Sequence, residues 1–203
     1  MTEKEKFMRE ALKQAKRAYE KGEIPVGAVI VKDNKIIARA YNEKEEKKDT
    51  TRHAEIIAIQ KASKKLNAWR LSGCEMYVTL EPCSMCAGAL IQARIKKLYI
   101  GTMDEKTGAC GSVINLFRYE FNHKIEVETG VLQPKCEKIL KDFFRELGFD
   151  PFDYFNNIIK NMEQYRSGHN EVDSKSIRRL KSATWVRIPP APPNLKGDKN
   201  VYR

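Results

Sequence analysis

His53-Ala54-Glu55 and Pro82-Cys83-Ser84-Met85-Cys86 are the residues of this chain whose types and spacing could do chemistry. One imidazole and two thiols are donors suited to zinc. Three nitrogen and sulfur ligands leave the fourth tetrahedral position to water, the arrangement of a catalytic zinc rather than a structural one. Zinc brings the pKa of such a water to about 7. Two thiolates would cancel the ion's charge and weaken that effect, so a nearby base must assist. Glu55, two residues from His53, is free to carry the proton. A Cys-x-x-Cys pair alone could equally be a redox couple. The histidine, glutamate and proline at these offsets favour the metal.

The elements around these residues follow from periodicity. Phe7, Met8, Ala11, Leu12, Ala15, Ala18 and Tyr19 recur at helical spacing over residues 3–21, and Gly22 supplies the stop. Residues 26–31 and 36–40, joined by Asp33-Asn34, read as two antiparallel strands. Residues 43–50 are almost wholly charged and read as a surface loop. A second helix should run from Thr51 through Ala62, with His53 and Glu55 in its first turn, where the helix dipole favours negative charge. Residues 76–80 form a strand, and Pro82 opens a third helix that carries both cysteines. A fourth strand over 95–100, a glycine-rich loop over 101–111, a weak turn near 115–117 and a fifth strand over 125–131 follow. The last helix of the domain spans 134–147. Strands alternating with helices make an α/β layered domain, with both halves of the motif at strand-to-helix transitions on one sheet edge.

The 203 residues carry 38 Lys and Arg against 27 Asp and Glu, a net charge of +11 that suits a polyanionic partner. No apolar run is long enough to span a membrane. The charged start, Met1-Thr2-Glu3-Lys4-Glu5-Lys6, has no signal-peptide core. Five cysteines, an odd number, point to a reducing, cytoplasmic setting and to metal binding rather than a disulfide framework. Cys74, Cys110 and Cys136 are expected to be small buried residues.

H-x-E followed by P-C-x-x-C is a known signature of zinc nucleobase deaminases. With it stand Ile24-Pro25-Val26-Gly27-Ala28-Val29, Tyr41-Asn42, Tyr77-Val78-Thr79-Leu80-Glu81, Lys106-Thr107-Gly108, Asn122-His123 and Asp142-Phe143-Phe144-Arg145. On these residues the chain, over roughly 7–147, resembles the bacterial tRNA-specific adenosine deaminases of the cytidine deaminase-like superfamily. The resemblance implies a three-layer α/β/α sandwich around a central five-stranded mixed sheet. It implies one zinc ion per subunit on His53, Cys83 and Cys86, with Glu55 as proton shuttle. It places Asn42 against base and ribose, and Ile24 and Leu80 along the base pocket. Asp104, Lys106, His123, Phe144 and Arg145 fall where the family touches flanking nucleotides. The implied activity is hydrolytic deamination of the wobble adenosine to inosine in a tRNA anticodon loop, usually of an arginine tRNA, by a homodimer whose active sites border the interface. Arg52, before His53, departs from the small residue usual there and offers a phosphate contact.

Other readings stay open at this level. His123 could be an ordinary hydrogen-bonded surface residue, Asn42 a turn cap, and Phe143 and Phe144 core. A deaminase of a free base or nucleotide, of guanine or cytidine type, would keep the same zinc motif. A non-catalytic zinc-stabilised RNA-binding module would keep the ligands, but would have no use for Glu55.

Residues 1–150 form the expected deaminase domain, and 151–166 a helical extension with aromatic contacts. Residues 167–203 read as a disordered tail with eight basic and three acidic residues and Pro189, Pro190, Pro192 and Pro193. Trp185-Val186-Arg187-Ile188-Pro189-Pro190 can be written TGG-GTT-CGA-ATC-CCN-CCN, which contains the T-arm string GGTTCGAATCC of many tRNA genes. Ala191-Pro192-Pro193 can be written GCN-CCA-CCA, like an acceptor end running into an encoded CCA. The favoured reading is a reading frame overrunning a neighbouring tRNA gene. Its rival is a basic arm that grips RNA.

Overall fold

A computed structural model describes residues 1–148. These fall in one compact unit, Met1–Phe143, and the first residues of a second that begins at Phe144. The expected 151–166 extension and 167–203 tail lie outside the described residues.

The chain runs α1 (Glu3–Glu20), β1 (Gly27–Lys32), β2 (Lys35–Tyr41), α2 (Lys44–Lys47), α3 (Ala54–Leu66), β3 (Glu75–Leu80), α4 (Ser84–Gln92), β4 (Lys97–Thr102), β5 (Glu126–Glu128) and α5 (Gln133–Glu146). A 3₁₀ turn at Leu116–Arg118 precedes β5. The sheet order is β2-β1-β3-β4-β5. β1 is antiparallel to β2 and β3, whereas β3, β4 and β5 are parallel. This is the mixed five-stranded sheet expected.

Period-two alternation divides the core between the two faces of the sheet. Ala28, Ile30, Met76, Val78, Leu98 and Ile100 join Ala54, Ile57, Ala58, Ala87 and Leu90 of α3 and α4 in one buried cluster. Val29, Val31, Tyr77 and Tyr99 join Phe7, Met8 and Ala11 of α1 and Cys136 of α5 in the other. Tyr77 and Tyr99, paired across β3 and β4, stack with ring centroids 4.3 Å apart, and Phe7 packs against Tyr77 at 5.3 Å. Three layers result.

Four boundaries differ from the sequence expectation. Residues 43–50 are not a plain loop, because Lys44–Lys47 form a helical turn closed by Lys48 at φ 52°. The Glu46 amide donates to the buried Glu23 carboxylate at 2.7 Å, which fixes that turn. Pro82 does not open α4: Cys83 is its N-cap, held extended at φ −70° and ψ 175° by a bridge to Gly108. β4 begins at Lys97 rather than Ile95, because Arg94, at φ 61°, and the Ile95 amide still close α4, the latter donating to the Leu90 carbonyl. β5 pairs only over Glu126–Glu128, on the sheet edge; Gly130, at φ 84°, then turns the chain into α5.

Candidate active site

Parallel β3 and β4 end at the edge where antiparallel β1 begins, and the chemistry gathers there. The Gly27 amide donates to Thr79 Oγ1 at 3.0 Å, tying the start of β1 to the end of β3. Gly27 must be glycine. A Cβ there would fall 2.1 Å from the Ala11 carbonyl oxygen of α1.

Two helix N-termini point at this edge. His53 caps α3 in an extended conformation, not inside the first turn as the sequence suggested, and Glu55 occupies that turn. Cys83 caps α4, with Cys86 in its first turn. His53 Nδ1 lies 3.7 Å from Cys83 Sγ and 3.6 Å from Cys86 Sγ, and all three donor atoms lie within 4.8 Å of one another. Zinc–nitrogen and zinc–sulfur bonds of tetrahedral sites give an N···S edge of about 3.6 Å. The donor set could hold a metal ion, and its spacing fits zinc.

The electrostatics agree with that chemistry. The Cys83 thiol is brought down to about 4, chiefly by the hydrogen bond from Cys86 and then by His53. Cys86 is driven far up by the same bond and by burial. His53 is raised by its bond to Cys83. A divalent ion held by the three donors would let both cysteines ionise. Glu55 is 3% exposed, and burial holds its carboxyl above the ordinary range. Its Oε2 is sealed from solvent and has no hydrogen-bond partner among the described residues. A buried polar atom left in that condition costs folding free energy.

Asn42 follows β2 onto the same edge and is 6% exposed. The next residue donates its amide to the Arg52 carbonyl at 3.0 Å, which sets Asn42 beside the approach to His53. Ile24 and Leu80 are half-buried against the larger core cluster. Arg52 pairs with the Glu43 carboxylate and is half-buried.

Glu81 is the residue beside the site whose part sequence reasoning missed. It is 3% exposed, and its carboxylate accepts from the amides of Asp104 at 2.9 Å, Cys110 at 2.8 Å and Ser112 at 3.1 Å, and from the Ser112 hydroxyl. One side chain thus anchors the glycine-rich loop beside Cys83. The only cue was a carboxylate inside an otherwise apolar strand end. Asp104 spends its own carboxylate within that loop, accepting from the Lys106 amide at 3.0 Å and the Thr107 amide at 3.4 Å. Lys106 is exposed at the loop tip.

His123 is not gathered here. The His123 ring donates Nε2–H to the Ile95 carbonyl at 2.7 Å, before β4 begins. The 6 residues of β4 span about 20 Å, so His123 sits at the opposite strand ends from the cluster. Phe143 is buried against Tyr19, centroids 5.4 Å apart, and is core. Phe144 is half-buried and Arg145 exposed in the last turn of α5.

Comparison with known proteins agrees with this geometry. The family model of MafB19-like deaminases matches residues 2–148. A tRNA-specific adenosine deaminase of Bacillus subtilis is 50% identical over 148 residues, covering 72% of this chain and 92% of that protein. A solved structure from work on A-to-I editing by tRNA:A34 deaminases superposes with a TM-score of 0.65 at 43% identity, over 66% of this chain and 99% of that one. A guanine deaminase from Nitrosomonas europaea shares the fold at TM-score 0.58 but is 25% identical, over 68% of this chain and 83% of that one. Motif, fold and overall identity converge: the chain belongs to the tRNA-specific adenosine deaminases, within the MafB19-like deaminase family.

Proposed function

We propose that the protein hydrolytically deaminates the wobble adenosine of a tRNA anticodon to inosine, with one zinc ion per subunit held by His53, Cys83 and Cys86. The observation that carries this is the buried, unpartnered Glu55 Oε2 beside a donor triangle of zinc dimensions. A structural zinc module would gain nothing from such a carboxylate. The greater identity to the tRNA enzymes favours tRNA over a free base.

The bound ion supplies Lewis acidity that makes water nucleophilic near neutral pH. Glu55 takes a proton from the attacking water and delivers it to the ring nitrogen next to C6. It then moves a proton to the departing amine, so that inosine and ammonia leave. Burial, which raises its carboxyl, suits a group that must both accept and release a proton. Ile24 and Leu80 offer apolar walls to the base, and Asn42 holds it with its ribose. The base must leave the stack to arrive there, which costs least in a single-stranded loop.

Asp104 shapes the loop that carries Lys106, whose ammonium meets backbone phosphate near the extruded nucleotide. Phe144 and Arg145 supply a ring for stacking and a cation. His123, at the other strand ends, makes any RNA contact away from its own chain's cluster. The resemblance favours an arginine tRNA and a homodimer. The apolar exposure of Val113, Ile114, Tyr119 and Phe121 along one segment supports a protein partner there. Unpaired cysteines suit a reducing cytoplasm.

The test is incubation of the zinc-loaded protein with total tRNA, followed by sequencing for A-to-G changes. Conversion confined to wobble adenosines is expected. Turnover of free guanine, cytidine or adenosine at comparable rates would overturn the assignment.

A further inference from the structure

Glu23 and Asn42 are both almost wholly buried, 1% and 6% exposed, and they touch. Asn42 Nδ2 lies 3.2 Å from Glu23 Oε2, while the Glu46 amide donates to Glu23 Oε1 at 2.7 Å. An ionised carboxylate only accepts, so the amide end facing it must be the NH₂ group. That fixes which way Asn42 points. Its carbonyl oxygen is the end left over, without a partner among the described residues and not sealed from solvent.

We propose that Glu23 is a positioning residue that sets the polarity of Asn42, so that the site offers the substrate an acceptor and demands a donor in return. The inference rests on the tRNA reading above. Within a polynucleotide, an adenosine has two donors, its exocyclic amine and its ribose 2′-hydroxyl, since the 3′ and 5′ oxygens are esterified. The amine is the leaving group and must face the metal cluster. The 2′-hydroxyl is the donor that remains, and it is also the group that separates RNA from DNA. Glu23, which never touches the substrate, thereby selects ribose at the target nucleotide.

The test uses the zinc-loaded protein and one tRNA made with adenosine, 2′-deoxyadenosine or 2′-fluoro-2′-deoxyadenosine at the wobble position. The fluorine keeps a ribose-like pucker and can accept but not donate. Wild-type kcat/KM is expected to fall about tenfold or more on both analogues, because the carbonyl, once covered by the bound nucleotide, goes unpaired. Equal use of the fluoro and hydroxyl substrates would overturn the inference.

Glu23→Gln can donate an NH₂ to Asn42 and let the amide turn over. It should narrow the hydroxyl-over-fluoro preference at least threefold while zinc content is kept. An unchanged preference refutes the role of Glu23. The pair Glu23→Gln with Asn42→Asp restores a fixed acceptor and should restore the preference, which keeps the test decisive if Glu23→Gln alone folds poorly. Asn42→Asp alone sets two carboxylates together, and its melting temperature should fall and recover on adding Glu23→Gln. If Asn42→Asp melts equally in both backgrounds, the contact carries no orienting role. A protein that makes inosine from none of the three tRNAs refutes the proposed function. One that uses all three equally refutes only this inference.

Discussion

Gly108 packs directly on the carboxylate of Glu81: a Cβ at Gly108 would fall 2.2 Å from Glu81 Oε2. The glycine in Lys106-Thr107-Gly108 is therefore a matter of space and not of turn conformation. With no side chain, the loop closes on Glu81, and three backbone amides and a hydroxyl converge on its two oxygens. The Ala109 amide then donates to the Pro82 carbonyl at 2.9 Å, which carries the order of the loop to the residue before Cys83.

Gly108→Ala should lower stability by about 1–3 kcal/mol through that clash. Glu81→Gln should cost about the same, because an NH₂ group would then face backbone donors. Thermal melting measures both. Deamination should drop with them, since the Cys83 cap hangs on this loop. Wild-type melting in either variant would mean the anchor is dispensable.

Glu55→Ala should reduce deamination by about 10²–10⁴-fold or more, with zinc staying near one ion per chain. Cys83→Ser or Cys86→Ser should lose metal and activity together. Elemental analysis alongside an inosine assay separates the two roles. A metal-free Glu55→Ala protein would remove Glu55 from the shuttle role.

Chelation should abolish inosine formation, and added zinc should return it. Melting temperature should fall on chelation as well, because bound metal stabilises the fold that presents it. Activity that survives exhaustive chelation would rule out the zinc assignment.

Binding of tRNA should weaken steeply as salt rises, because phosphate contacts release counterions. Lys106→Gln should make that slope shallower by about 1 and leave turnover at saturation largely intact. Free adenosine should be a negligible substrate, because binding energy from the rest of the anticodon loop is needed at the reacting centre. A slope unmoved by Lys106→Gln would take that lysine off the phosphate path.

Truncation after Ser167 should leave zinc content and wobble deamination nearly unchanged if the tail is a frame overrun. Codons for Val186 to Ile188 other than GTT-CGA-ATC or close variants would sink the overrun. A large loss of tRNA affinity on truncation would favour a functional arm instead.

The sequence by itself determined the family's motif and most of the frame. The candidate metal group was legible because His53, Cys83 and Cys86 are rare donor types, each standing within a few residues of a helix start that the local sequence marks. The strands were legible because alternation separates Val29, Val31, Tyr77 and Tyr99 from Ala28, Ile30, Met76 and Val78, and period two survives without tertiary knowledge. Tertiary structure decided the rest. The sequence assigned no role to Glu23 or Glu81, since their partners include backbone amides more than twenty residues away, and a backbone donor leaves no mark in a sequence. Cys83 became a cap because its bridge partner, Gly108, comes from a loop far along the chain. His123 could not be placed either. Whether a residue sits at one end of a parallel strand or the other depends on strand order, and strand order is set by packing.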